Sequence, residues 1–174
     1  MILILLRHGK SSWKNPNLND FDRPLGKRGI KELPIVMDHF SNYIIENTKV
    51  ICSSSLRTMQ TYNIVKDFMP SHETVFLKDL YHASKNKIIE IINDNLFIKS
   101  LMVIGHNPGL NETLHFILKE KYLNENTFHF PTSAIAVIKF KKSINKIQNG
   151  NGKLLDFIKF KNLKLNEKLN EKLY

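Results

Sequence analysis

Two patterns of hydrophobic and polar positions alternate along the chain. Short apolar runs rich in leucine and β-branched residues begin at Ile2, Val50 and Leu101, and such runs are typical of buried strands. Between them, apolar residues recur three and four positions apart, as in amphipathic helices. The alternation predicts an α/β fold. We expect three α/β/α layers, in which helices cover both faces of a mostly parallel sheet.

The first helix is predicted after a long polar loop. Residues 10–24 are rich in Asn and Pro and predict that loop. Beyond it, an apolar stripe at helical spacing predicts an amphipathic helix with Pro34 near its first turns. The stripe consists of Leu33, Val36, Met37, Phe40 and Ile44.

Serines mark the predicted starts of two further helices. Ser54 or Ser55 can cap a helix after the second strand, whose buried stripe comprises Thr61, Ile64, Val65 and Phe68. A short strand is predicted at 74–77. Ser84 can cap the helix beyond it, whose apolar stripe comprises Ile88, Ile91, Ile92 and Leu96.

The end of the chain differs from the rest. Residues 132–140 and 153–160 are strand-like, and the turn-rich "QNGNG" between them predicts an antiparallel hairpin at one edge of the sheet. We expect one domain over 1–162. Residues 163–174 repeat the unit LNEK and predict a charged tail, either a frayed helix or a disordered segment, with packing on the domain or on a second subunit as the alternative.

The composition is that of one globular domain. A chain of 174 residues can bury a single sizeable core, and no apolar run reaches the roughly 18–20 residues that cross a membrane. The apolar start of the chain has no basic flank and no small-residue cleavage site, so we expect no signal peptide and a cytoplasmic location. Cys52 is the only cysteine, which excludes an internal disulfide and a CxxC metal site.

The net charge of +10 indicates a partner of opposite sign, such as nucleic acid, an anionic surface or a phosphorylated substrate. A basic nucleic-acid-binding domain is the alternative from a different functional class. It would interleave basic and aromatic residues on one face, whereas here the lysines are scattered and the arginines lie within motifs. We therefore expect neither nucleic acid nor a membrane as partner.

Polar side chains follow three of the predicted strands at the point where each strand ends. They are Arg7-His8-Gly9, then Ser53-Ser54 with Arg57, and then Gly105-His106-Asn107. The carboxyl ends of parallel strands meet at one edge of a sheet, so these groups should lie together. Clustered arginines and histidines repel one another unless an anion lies among them, and guanidinium groups suit phosphoryl oxygens. The sequence therefore predicts a site for phosphate or sulfate-type anions.

Six stretches of the chain resemble the histidine phosphatase superfamily, whose fold is that of phosphoglycerate mutase, and within it the SixA-type phosphohistidine phosphatase branch. They run from residue 3 to about 140 and read "LLRHGKSSW", "DFDRPLGKRG", "VICSSSLRTMQT", "LYHAS", "VIGHNPGLN" and "TSAIAVIKF". The resemblance implies a phosphatase that works without a metal or another cofactor. It also implies a phosphorylated substrate, either a phosphohistidine protein or a small phosphate ester.

The resemblance assigns roles to five residues. It implies that His8 is the nucleophile that becomes phosphorylated, that Arg7 binds phosphoryl oxygens beside it, and that Arg23 and Arg57 are further phosphate-binding arginines. His106 is implied as the second histidine of the pocket. Imidazole attacks only when neutral, so we expect one His8 nitrogen to face phosphorus while the other donates to a backbone carbonyl.

A general acid is not evident in the sequence. The stretch where the superfamily's acid would be sought offers only Asp79, and the resemblance implies that the SixA branch does without one because histidine leaves phosphorus readily. Removal of phosphoryl groups from phosphohistidine proteins is therefore the leading hypothesis, and a small-molecule phosphomonoesterase is the alternative.

Other residues carry weaker expectations. His82, Trp13, Phe21 and Tyr81 are candidates for the rim of the pocket, and Asp22 is expected to orient Arg23 or Arg7. The remaining histidines lack metal-ligand spacing and are interpreted as structural or surface residues; they are His39, His72, His115 and His129.

Overall fold

Six strands form one mixed sheet in the computed structural model, which describes residues 1–141 and 143–170. The strands are β1 (Ile2–Arg7), β2 (Thr48–Ser53), β3 (His72–Leu77), β4 (Ser100–Gly105), β5 (Ile135–Lys139) and β6 (Lys153–Ile158). Their spatial order is β3-β2-β4-β1-β5-β6. The first four pair in parallel, while β5 pairs antiparallel with β1 and β6. The mostly parallel sheet with an antiparallel pair at one edge is confirmed.

Helices cover both faces of this sheet. They are α1 (Lys27–Phe40), α2 (Leu56–Val65), α3 (Lys85–Asn93), α4 (Gly109–Ile117), α5 (Glu125–Phe128) and α6 (Phe160–Asn170). In β1, Leu3 and Leu5 pack into the apolar cluster that holds α3 and α4, whereas Ile4 and Leu6 pack into the one that holds α1 and α2. Because successive strand residues point to opposite faces, β1 is buried on both sides. This confirms the three-layer α/β/α prediction.

The first helix begins earlier and ends earlier than its apolar stripe suggests. It starts at Lys27, so Pro34 is the eighth of its 14 residues and does not lie near its first turns. Four of the first six residues of the helix are charged, namely Lys27, Arg28, Lys31 and Glu32, which hides its start from the hydrophobic pattern. The helix ends at Phe40 and a 3₁₀ turn follows, so Ile44 packs on the core from outside the helix.

The two serine caps differ in chemistry. Ser84 precedes α3, and its side chain accepts a hydrogen bond from the backbone N–H of Lys87 at 3.3 Å, as an N-cap should. Ser55 occupies the N-cap position of α2, but its hydroxyl hydrogen-bonds to the hydroxyl of Thr58 instead of a backbone N–H. Like Ile44, two further residues predicted on helical stripes lie beyond the helix ends, namely Phe68 and Leu96.

The C-terminal helix α6 follows β6 directly. Phe160 and Leu163 pack on the same apolar cluster as α1. The division into a domain of 1–162 and a tail stays a prediction, and Lys142 and 171–174 lie outside the described residues. In the part of the chain that the structure describes, every helix is too short or too polar to cross a membrane.

Candidate active site

The parallel strands bring the predicted residues to one edge of the sheet. In the register of β1 with β4, Arg7 lies opposite Gly105, and β2 pairs with β4 on its other side. His8 and His106 follow the paired strands, and their ring centroids are 4.9 Å apart. Arg57 projects from the first turn of α2, directly after β2. The expected meeting of the three strand ends is therefore observed.

His8 is held as a neutral imidazole. Its Nδ1 lies 2.8 Å from the carbonyl oxygen of Gly9, a contact in which the ring nitrogen must donate. Burial, with the charges of Arg57 and Arg7, lowers the pKa of His8 to about 3, although the Gly9 hydrogen bond opposes this. At neutral pH the proton therefore resides on Nδ1, and Nε2 keeps a lone pair that a nucleophile needs.

Gly9 allows the chain to pass close to α1. A Cβ at this position would lie 2.9 Å from Cδ1 of Leu33 and 3.2 Å from Cα of Gly29. Its backbone N–H donates to the hydroxyl of Thr61 at 3.1 Å. A glycine after His8 thus suits the close approach between the strand end and α1.

The guanidinium of Arg57 links several groups of the site. Its Nε lies 3.4 Å from Nε2 of His8, and its Nη2 lies 3.4 Å from Nδ1 of His106. Nη1 donates to the backbone carbonyl of Asp20, and Nη2 lies 2.8 Å from the Asp20 carboxylate. Three nitrogens of one planar group therefore fix the relative positions of two histidines and the loop before α1.

His106 is also neutral. Its Nε2 lies 3.0 Å from the hydroxyl of Ser53 and 3.3 Å from that of Ser55. Burial, followed by the neighbouring His8 and Arg57, lowers the pKa of His106 to about 2. In the free protein His106 is thus a polar partner without a positive charge, and the arginines carry the charge that an anion would meet.

Arg7 keeps one donor for a ligand. Its Nη1 donates to the carbonyl oxygen of Phe130 at 2.8 Å, which anchors the side chain. Nε is buried and makes no hydrogen bond with the described residues. Burial and then the charge of Arg57 lower the pKa of the Arg7 guanidinium. A buried cationic donor without a partner is costly, and an anion in the cleft would satisfy it.

Arg23 lies at the entrance and is anchored by the loop 10–24. Its three nitrogens donate to the carbonyl oxygen of Ser12 at 3.2 Å, to the Ser11 hydroxyl at 2.7 Å and to the Asp20 carboxylate at 2.8 Å. The ring of Trp13 covers the guanidinium, with the carbon of that group 3.1 Å from the ring centroid. Arg23 is thereby presented to the cleft in one orientation.

The acidic residue of the site is Asp20, which the sequence analysis missed. Its carboxylate contacts both Arg23 and Arg57, and it accepts hydrogen bonds from Tyr81 at 2.7 Å and His82 at 3.2 Å. Partial burial raises the pKa of Asp20, but these hydrogen bonds outweigh that effect and hold the pKa well below its usual range. The expectation that Asp22 orients Arg23 is wrong. The signal was the i, i+3 spacing of Asp20 and Arg23, because one turn of 3₁₀ helix places them side by side.

One cleft of about 190 Å³ contains the predicted site residues. All five line it, together with the rim candidates Trp13 and His82; the other lining residues are Lys10, Ser11, Asn107 and Thr132. The hydroxyl of Tyr81 donates to the Asp20 carboxylate, and Phe21 packs against Tyr81 with ring centroids 4.9 Å apart. Asp79 is exposed and does not line the cleft.

The remaining histidines lie apart from the cleft. His72 hydrogen-bonds to Tyr62 at 3.0 Å, and His115 lies 2.8 Å from the carbonyl oxygen of Thr127. Across residues 1–141 and 143–170, no three His, Cys, Asp or Glu side chains are grouped so that they could hold a metal ion. The cationic side chains that line the cleft are three arginines and Lys10.

Comparisons with known proteins agree with this geometry. Residues 3–81 match the model of the histidine phosphatase superfamily, branch 1. An uncharacterized protein of Mycobacterium tuberculosis is 29% identical over 161 residues, which cover 87% of this chain and 98% of that relative.

Two solved structures share the fold over nearly their whole length. A protein of Agrobacterium tumefaciens, assigned as the phosphohistidine phosphatase SixA, is 27% identical with a TM-score of 0.79, covering 91% of this chain and 97% of that one. The protein histidine phosphatase SixA in complex with tungstate is 25% identical with a TM-score of 0.74, covering 94% and 99%.

In its α/β fold and in the arginine-lined cleft around a neutral histidine, this chain is similar to the phosphatases of the histidine phosphatase superfamily. Among members of that superfamily, it is similar to proteins of the SixA type.

Proposed function

We propose that the protein is a phosphohistidine phosphatase that works through a covalent phosphohistidine on His8. The observation that carries the proposal is the state of His8. Its Nδ1 is used by the Gly9 carbonyl, its ring is neutral, and its Nε2 lies among Arg7, Arg57 and His106. A neutral nucleophile surrounded by cationic donors suits attack on a dianionic phosphoryl group.

The reaction has two halves. In the first, Nε2 of His8 attacks phosphorus, the bond from phosphorus to the substrate nitrogen breaks, and the electron pair leaves with that nitrogen. In the second, water attacks the phosphoryl group on His8, and the electron pair of the broken bond returns to Nε2. Arg7, Arg23 and Arg57 are proposed to hold the phosphoryl oxygens in both halves, because guanidinium donors match charge spread over three oxygens.

The proposed substrate is phosphohistidine in a protein. Imidazole is a good leaving group once its other nitrogen carries a proton, so the bond to phosphorus breaks with little assistance. This choice is supported by the two similar solved structures, which are a phosphohistidine phosphatase and a protein histidine phosphatase by name. A cytoplasmic location remains a prediction.

A substrate panel tests the proposed specificity. We expect kcat/KM to be highest for a histidine-phosphorylated protein, lower for nitrophenyl phosphate and lowest for a phosphoserine peptide. Initial rates of phosphate release give the order. Asp79→Asn serves as the matched control and should preserve the order, because Asp79 is exposed and does not line the cleft. A phosphoserine peptide hydrolysed faster than the phosphohistidine protein would favour the phosphomonoesterase alternative.

We also propose that the reaction needs no metal ion, since three arginines supply the charge that a metal would supply elsewhere. Prolonged treatment with a strong chelator should leave the rate unchanged, whereas vanadate, which adopts five-coordinate geometry, should inhibit. Trp13 is the only tryptophan and covers Arg23, so its fluorescence should report titration of the cleft with tungstate. Loss of activity on chelation, with recovery on adding magnesium or zinc, would contradict the proposal.

A further inference from the structure

His82 lies beside His106 in the cleft. Its ring is nearly parallel to that of His106, with an interplanar angle of 11° and centroids 5.3 Å apart. The side chain is 51% exposed and lines the same cleft as His8. Its backbone φ is +50°, in the left-handed region that few residues other than glycine adopt. Such conformations concentrate at functional sites, because the surrounding structure must hold them.

The carboxylate of Asp20 orients this ring. Nε2 of His82 lies 3.2 Å from Oδ2 of Asp20, and an ionised carboxylate can only accept, so Nε2 donates. The same oxygen receives the hydroxyl of Tyr81 at 2.7 Å and Nη2 of Arg57 at 2.8 Å, which fix the carboxylate. Nδ1 of His82 makes no hydrogen bond with the described residues. One nitrogen of the ring is thus held by an acid and the other is open.

We infer that His82 is the proton donor to the leaving group, with Asp20 as its positioning residue. An imidazole oriented by a carboxylate through one nitrogen and open at the other is the arrangement that general acid–base catalysis uses. The inference rests on the proposed attack by His8. It differs from the expectation that this cleft works without an acid.

The proton balance of the two half-reactions is complete. When the bond between phosphorus and the leaving oxygen breaks, its electron pair stays on that oxygen. The same oxygen takes a proton from Nδ1 of protonated His82. In the second half, the attacking water occupies the position of the leaving oxygen and gives its proton to Nδ1. Phosphate departs from His8, and His82 regains its starting state.

The substrate range should therefore include esters. A phosphohistidine needs little help to leave, whereas a phenol or an alcohol leaves phosphorus only slowly without a proton. With His82 as the acid, phosphate monoesters of weakly acidic phenols become substrates. The groups that face His82 are Asp20, Arg57, Tyr81 and His106.

The test is His82→Asn, assayed on aryl phosphates whose phenols differ in acidity. Asparagine tolerates positive φ and cannot donate a catalytic proton, so the backbone should be preserved. We expect kcat on phenyl phosphate to fall by about 10²-fold or more, with little change on dinitrophenyl phosphate, whose leaving group needs no proton. The alkaline fall in kcat/KM on phenyl phosphate should disappear in the variant. Asp20→Asn should show part of the same selectivity. It should also lower kcat on both aryl phosphates, because Asp20 contacts Arg23 and Arg57.

His39→Gln is the matched control, because His39 lies on α1 away from the cleft, and it should behave as wild type. Thermal unfolding midpoints verify that all variants fold. An equal loss on both aryl phosphates, or none on phenyl phosphate, would overturn the inference. The proposed function would survive that outcome if the phosphoenzyme on His8 still formed, so the two failures are distinguishable.

Discussion

Replacing His8 with alanine should abolish the phosphoenzyme and lower kcat by about 10⁴-fold or more, as expected when a covalent nucleophile is removed. Wild-type protein mixed with a labelled phosphoryl donor and then denatured should carry a label that is stable in base and labile in acid, the signature of phosphorus bound to imidazole nitrogen. The alanine variant should carry none. The reason is geometric, since His8 donates through Nδ1 to the Gly9 carbonyl and keeps an unprotonated Nε2 beside Arg57.

Two controls make this result specific. His115→Ala removes a histidine that hydrogen-bonds to the Thr127 carbonyl outside the cleft, and it should leave the label intact. Tungstate binding, followed by Trp13 fluorescence, should persist in His8→Ala because the arginines remain. A label retained in the His8 variant would assign the nucleophile to another residue and refute the proposed mechanism.

The second large effect concerns the arginine of α2. Arg57→Lys retains the positive charge, yet we expect kcat/KM to fall by about 10²- to 10³-fold, the loss typical of removing a donor to the transition state. Nitrogens of the guanidinium contact His8, the Asp20 backbone and the Asp20 carboxylate at the same time. A single ammonium group cannot reach all three.

The comparison set separates geometry from charge. Neutralising three lysines of the last helix and tail should leave turnover of a small substrate nearly unchanged; these are Lys164, Lys168 and Lys172. Lys164 lies near the Phe160 ring and does not line the cleft. The side chain of Lys168 and the whole of Lys172 lie outside the described part of the chain. Equal damage from these changes and from Arg57→Lys would mean that overall basicity, and not a shaped site, supports activity.

The neutral histidines also set how the protein responds to acid. The folded pKa of His8, about 3, lies below the ordinary value of 6.5, so the unfolded chain binds a proton that the folded protein excludes. Its contribution to stability is therefore present above pH 6.5 and is lost as the pH falls from there toward 3. For the same reason, His8 of the substrate-free protein is unprotonated, and able to act as a nucleophile, well below neutral pH.

The sheet and the centre of the site follow from local patterns in the sequence. Apolar runs ending at Arg7, at Ser53 and at Gly105 predict parallel strands, and parallel strands have their carboxyl ends at one edge. His8, His106 and Arg57 follow those strands within a few residues, so local pattern and sheet geometry were sufficient to bring them together. The antiparallel pairing of β5 and β6 was predictable for a similar reason, since a turn-rich segment joins two strand-like runs.

The acid and the third histidine join that centre only through long-range packing. Asp20 lies 37 positions from Arg57 and 62 from His82, and all the segments that carry its contacts converge only after the sheet and helices have packed. The loop 10–24 has no periodic pattern of apolar residues. Residue type alone therefore does not distinguish Asp20 from Asp22 as the partner of the arginines. Only the 3₁₀ turn that packs near α2 selects Asp20, because it directs that carboxylate, and not the next one, toward the two arginines.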